Sequence, residues 1–152
     1  MIDDVDLHIL EILQEKARIP NAEVARQVGM APSAVLERIR KLEERGIIEG
    51  YEVRLNPAPF RLGLAAFMFI EADPSGNGKL GARLAAISGI QEVHQVAGVD
   101  GYLVKARAAD PASLGNLLRE QIQPLQGVRS TRTHIVLDTV KETRQVELKP
   151  IP

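Results

Sequence analysis

Two hydrophobic rhythms divide this chain. Over residues 5–42 apolar side chains recur every three to four positions, the spacing of helices that each bury one stripe. From residue 63 they come in short runs or at alternate positions, the spacing of strands. The change falls at "NPAPF", residues 56–60, whose two prolines suit neither a helix interior nor a central strand. The expected organisation is therefore a helical domain over 1–55, a linker over 56–62 and a second domain over 63–152.

In the first part, Asp3 or Asp4 can cap a helix carrying Val5, Ile9, Leu10, Ile12 and Leu13. "ARIPN" interrupts it, and Asn21 is a candidate cap for a short second helix that turns Val24, Ala25 and Val28 inward. Gly29 ends that helix, and Pro32 suits the first turn of a third. Val35, Ile39 and Leu42 form the buried stripe of the third helix, with Leu36 beside it. "IIEGYEVRL" is expected to form a short hairpin or wing. Two short helices joined by a tight turn, with a first helix to pack on, make a helix-turn-helix.

The third helix carries the candidate chemistry. A helix that enters the DNA major groove needs short residues at its N-terminal end and longer polar ones after them, to reach base edges and phosphates. Ser33 and Ala34, followed by Glu37, Arg38, Arg40 and Lys41, have that order. On an isolated helix the same residues would be an ordinary solvated face with ion pairs at i, i+4; the two preceding helices and the following wing favour DNA. Charge gives no general attraction to phosphate. The formal net charge is -1; residues 1–60 sum to -3 and the remainder to +2. DNA binding is therefore expected to come from a local patch doubled in a dimer.

The second part reads β-α-β-β-α-β, the ferredoxin-like arrangement, so the fold class is α+β. "GLAAFMFIEA" is a strand in which Phe67, Met68 and Phe69 supply packing, and "KLGARLAAI" a helix. "IQEVHQVAGV" and "YLVKARA" are strands around Asp100-Gly101, a hairpin signal. "DPASLGNLLREQI" is a helix capped by Asp110, and "GVRSTRTHIVLDTV" a last strand. The tip "VAGVDGYLV" has two readings. It is a turn with Asp and Gly present for backbone reasons, or a pocket in which glycine N–H groups hold a carboxylate and Asp100 an ammonium.

Other chemistry is absent from the sequence. No cysteine is present, which excludes disulfides and thiolate nucleophiles. His8, His94 and His134 lack metal-site spacing. The glycine-rich residues 75–78 lack the Lys-Ser/Thr of a phosphate loop, and no serine elbow occurs. The expectations are no enzyme activity, no metal and no cofactor. The acidic N-terminus and the lack of a long apolar run give a cytoplasmic protein with no membrane partner.

These features in order resemble the Lrp/AsnC, or feast/famine, family of transcriptional regulators. Asp3, Asp6, Ile9 and Leu10 open the pattern, Arg18 and Val24-Ala25 continue it, and "R-I-x-x-L-E-x-x-G-I-I" over residues 38–48 completes it. The resemblance covers nearly the whole chain. It implies a winged helix-turn-helix joined to a ferredoxin-like regulatory domain, with double-stranded DNA and self as partners. The self-assembly would be a dimer, or a tetramer or octamer built from dimers. It also implies an amino-acid effector held near Gly98, Asp100, Gly101, Tyr102 and Leu103, with Thr131 and Thr133 opposite. Two positions depart from the pattern: Ala31 stands where a capping Ser or Thr is common, and Gly101 stands where many members place an Asp before the Tyr. An alternative is a metabolite-binding oligomeric protein whose N-terminal domain mediates protein contacts.

Overall fold

A computed structural model describes residues 2–74, 78–98 and 101–149 of the 152. It divides into two compact units: Met1–Arg54 together with the segment from Glu142 onward, and Leu55–Lys141. The C-terminal segment thus belongs with the helical unit, whereas the sequence reading grouped it with the second domain.

The first unit holds α1 (Asp4–Glu15), α2 (Asn21–Val28) and α3 (Pro32–Glu44). Asp3 caps α1, and Asp6 returns a bond to the Asp3 backbone, a reciprocal capping box. Asn21 does not cap α2. It is the first helical residue, and Pro20 precedes it with no side-chain bond. Gly29 then takes a left-handed φ of 69°, which lets α2 stop and α3 begin three residues later. Ile9, Ile12, Val24, Ala25, Val35 and Ile39 form one buried cluster. Helical spacing on all three segments converges there.

No strand forms over residues 47–55, so the wing is irregular chain rather than a hairpin. The Ile47 and Ile48 amides turn back to the Leu42 carbonyl, and the Tyr51 hydroxyl bonds Glu43 at 2.9 Å. The chain therefore leaves along the flank of α3 instead of reversing on itself. The C-terminal segment is fastened to this unit by polar contacts. The Gln14 side-chain amide donates to the Val146 carbonyl at 3.1 Å and accepts from its N–H at 2.7 Å, and Arg144 pairs with Glu52 at 2.8 Å.

The second unit opens with a 3-10 turn, Ala58–Phe60. Strands β1 (Leu64–Ala72), β2 (Ile90–Gln95), β3 (Tyr102–Ala108) and β4 (Val128–Ile135) form an antiparallel sheet in the order β2-β3-β1-β4. Helices α4 (Leu80–Ala85) and α5 (Pro111–Leu117) complete the β-α-β-β-α-β order. Ala66, Met68 and Ile70 of β1 and Val104 and Ala106 of β3 face the helices and meet Leu80, Leu84, Leu114 and Leu117. After α5 the chain widens into a π-helical turn, Leu118–Ile122, that still buries Ile122. Strand pleating sends Phe67, Phe69 and Leu103 to the other face, which no helix of this unit covers. There Arg132 lies over the Phe69 ring at 5.7 Å, and His134 meets it edge-on. Both phenylalanines of β1 therefore contribute to that face rather than to the helix-side core.

Candidate nucleic-acid interface and effector cleft

Helix α3 is seated by Val35, Ile39 and Leu42, which are almost wholly buried. Their spacing turns Ser33, Glu37, Arg40 and Lys41 outward, all exposed, with Ala34 half-buried between them. Leu36 is 54% exposed, so the stripe is narrower than the sequence suggests. Ala31 stands at the N-cap and makes no side-chain bond. The start of α3 lacks the reciprocal capping that fixes α1.

Arg38 belongs to a different arrangement from its neighbours. Its guanidinium donates to Asp3 at 2.8 Å and to Asp6 at 2.7 Å, the two carboxylates of the α1 capping box. Asp6 is buried. The Asp3 carboxyl is held below its ordinary range, first by the Asp6 backbone N–H and then by Arg38. This contact joins α3 to the start of α1. Sequence reading missed it, although Asp3 and Asp6 at capping-box spacing were a visible sign that two carboxylates would be fixed at one point.

The outward cations are also partnered. Arg40 bonds Glu37 at 2.8 and 3.0 Å on one side and Glu44 on the other. Lys41 lies 3.6 Å from Glu37. On α2, Arg26 forks onto Glu23 at 2.6 and 2.9 Å. The Glu23 carboxyl is drawn down to about 2, chiefly by Arg26 and then by Gln27. Burial, followed by the bond to Glu43, pushes the Tyr51 hydroxyl up to about 12.

In the second unit, Gly101 has a φ of 85°, and an added Cβ would lie 3.1 Å from the Ile70 carbonyl oxygen. A side chain there is strained by the backbone conformation and crowded by its neighbours. Its carbonyl accepts from the Val96 N–H at 2.9 Å, closing the turn. Gly101 and Tyr102 line a cleft of about 210 Å³ with Asp73, Leu80, Gln95 and Gln126. Tyr102, Ile70 and Thr131 are paired across three adjacent strands, and Thr133 pairs with Met68. Directly paired residues share a face, so both threonines share the helix-facing side with Tyr102. Leu103 points to the opposite face. Gly98 also has a positive φ but does not line the cleft. Asp100 lies outside the described residues. Among the described residues no cluster of His, Asp and Glu could hold a metal, and no helix is long and apolar enough to cross a membrane.

Two stretches of the chain match two known families. Residues 2–49 match the winged helix-turn-helix DNA-binding family, and residues 65–146 match the Lrp/AsnC ligand binding domain. The chain belongs to the Lrp/AsnC family. The leucine-responsive regulatory protein of Haemophilus influenzae is 37% identical over 152 residues, covering 97% of this chain and 91% of that one. Escherichia coli AsnC superposes with a TM-score of 0.85 at 27% identity, over 96% of this chain and 98% of the other. The feast or famine regulatory protein of Mycobacterium tuberculosis, solved in complex with L-methionine, gives 0.86 at 35% identity, over 96% and 99%. This Lrp/AsnC protein is a DNA-binding transcriptional regulator, not an enzyme. Its fold is the α+β combination of a winged helix-turn-helix with a ferredoxin-like domain.

Proposed function

We propose that α3 enters the major groove of double-stranded DNA. Ser33 and Ala34 allow close approach, while Glu37, Arg40 and Lys41 reach base edges and phosphates. The observation that carries this reading is the seating of α3. Three buried residues on one side hold Ser33, Glu37, Arg40 and Lys41 out to solvent on the other. Arg38 supports the helix from its margin.

The reading is tested by selecting genomic fragments that bind the full-length protein and measuring affinity across a salt series. Arg40→Ala or Lys41→Ala weakens binding to a selected fragment and lowers the salt slope by about one unit for each phosphate left without its cation. Unchanged affinity and slope in both variants would remove α3 from the groove.

The effector is an amino acid in the cleft beside Gly101 and Tyr102. Backbone N–H groups of the turn receive its carboxylate, and Leu80 and Tyr102 receive its side chain. The methionine complex of the Mycobacterium tuberculosis relative supports this class of ligand. Asp100 is the candidate partner for the ammonium, and Thr131 and Thr133 continue the same side of the sheet. Gly98 completes the turn, and Leu103 serves the interface between subunits. Gly101→Ala strains the turn and raises the dissociation constant for the bound amino acid more than about tenfold, a change of about 1.4 kcal/mol. Calorimetry with a panel of amino acids reads this. A normal titration would show that the turn takes no part.

The protein works in the cytoplasm as a homodimer formed by pairing the uncovered sheet faces around Phe67, Phe69 and Leu103, with tetramers or octamers built from that dimer. Two copies of α3 would then read half-sites about 34–36 Å apart or a multiple of that.

A further inference from the structure

The carboxylates around the reading cations need an explanation. Glu37 and Glu44 both hold Arg40, Glu37 also approaches Lys41, and Glu23 holds Arg26. A surface meant to attract phosphate is here neutralised by its own chain. The four residues Glu37, Arg40, Lys41 and Glu44 sum to zero charge.

Helix stability accounts for this poorly. Arg40 and Glu44 are both more than half exposed, and exposed ion pairs contribute little. A basic residue placed N-terminal to an acidic one at i, i+4 is the weaker order. Glu44 is the last residue of α3, where a negative charge opposes the helix dipole. A glutamine there would suit the helix at least as well.

We propose that Glu44, with Glu37, is a specificity determinant that suppresses sequence-independent binding by holding Arg40 away from phosphate. The inference rests on the reading of α3 as the groove helix. A random duplex offers Arg40 only a phosphate, which competes with two carboxylates already in contact. A correct site offers more. Guanine O6 and N7 accept from Arg40 in a bidentate pair, while cytosine N4 donates to the released Glu37. Only such a site satisfies the cation and a carboxylate together, so the closed cluster opens on the right bases and stays closed elsewhere. The bonds are individually weak and exposed, so opening is easy once the alternative partners are in place. The overall balance of -3 over residues 1–60 acts in the same direction, leaving non-specific affinity to local cations alone.

The test uses the full-length protein, a selected genomic fragment and a random-sequence duplex of the same length. Glu44→Gln raises affinity for the random duplex roughly fivefold at about 0.1 M salt and steepens its salt slope by about one unit, because Arg40 gains a phosphate. Affinity for the selected fragment changes less, so the specificity ratio falls. Glu44→Asp keeps the charge and stays near the parent protein. Glu11→Gln, which changes net charge equally on an exposed position of α1, leaves the ratio unchanged. No change in random-duplex affinity or slope in Glu44→Gln overturns the proposal, as does an equal rise in Glu11→Gln. If Arg40→Ala weakens the selected complex while Glu44→Gln has no effect, the groove reading stands and only the guard fails. If Arg40→Ala changes binding to neither duplex, both fail.

Discussion

Replacing Leu42 with alanine is expected to remove about 2–5 kcal/mol from the stability of the helix-turn-helix unit. Leu42 is 1% exposed and is the last buried residue of α3. Its side chain fills a core that has no large aromatic to close over the gap: Tyr51 is the first unit's sole Phe, Tyr or Trp residue and is half exposed. Its carbonyl also receives the Ile47 and Ile48 amides as the helix ends. A domain of this size holds about 3–10 kcal/mol in total, so the loss is a large fraction. Differential scanning calorimetry should show the transition of the helical unit falling by many degrees while that of the sheet unit stays. Binding to a selected DNA fragment should fall in proportion to the unfolded fraction and recover on cooling. A parent-like melting profile would mean that α3 is not held by its buried stripe.

How far the sequence revealed this arrangement depended on which interactions carry it. Elements fixed by periodicity and local caps were legible: Asp110 caps α5, Pro32 opens α3, and Val35, Ile39 and Leu42 are each buried. Three features were not. The wing fails to become a hairpin because Tyr51 and the Ile47 and Ile48 amides find partners on α3. The alternation of apolar residues does not encode that competition. Asn21 yields the cap of α2 to Pro20, whose carbonyl already accepts from Glu23 and Val24. Leu36 follows the helical spacing yet lies open, beside a groove that it lines with Leu13, Ile19 and Tyr51. Among the candidate site residues, the outward position of Glu37, Arg40 and Lys41 was legible from 3.6-residue geometry. Their carboxylate partners were only partly so: Glu37–Lys41 sits at recognised spacing, whereas the contact of Arg38 with Asp3 and Asp6 joins residues more than thirty positions apart.

That distant contact separates two arginines that lie two positions apart on one helix. Arg38→Ala is expected to destabilise the helical unit by about 2 kcal/mol, the scale of hydrogen bonds to charged groups, because the buried Asp6 carboxylate loses its cation. Arg40→Ala, whose partners are exposed, should leave the melting profile nearly unchanged. DNA binding should reverse the contrast. Arg40→Ala weakens binding to a selected fragment directly, through loss of its own contact to the duplex; Arg38→Ala weakens binding through a less firmly aimed helix and leaves the salt slope as it was. Acid provides an independent control. The Asp3 carboxyl is depressed by folding, so its contribution is present above its unfolded value of 3.8 and is lost as pH falls through the lower folded value. Part of that depression comes from Arg38, so urea unfolding should show the gap between the parent and Arg38→Ala proteins narrowing as pH falls below about 4. A gap that does not narrow at all in acid would mean that the pairing with Asp3 takes no part in how Arg38 stabilises the unit. A lowered salt slope in Arg38→Ala would instead place its guanidinium on phosphate, with the contact to α1 exchanged for DNA on binding.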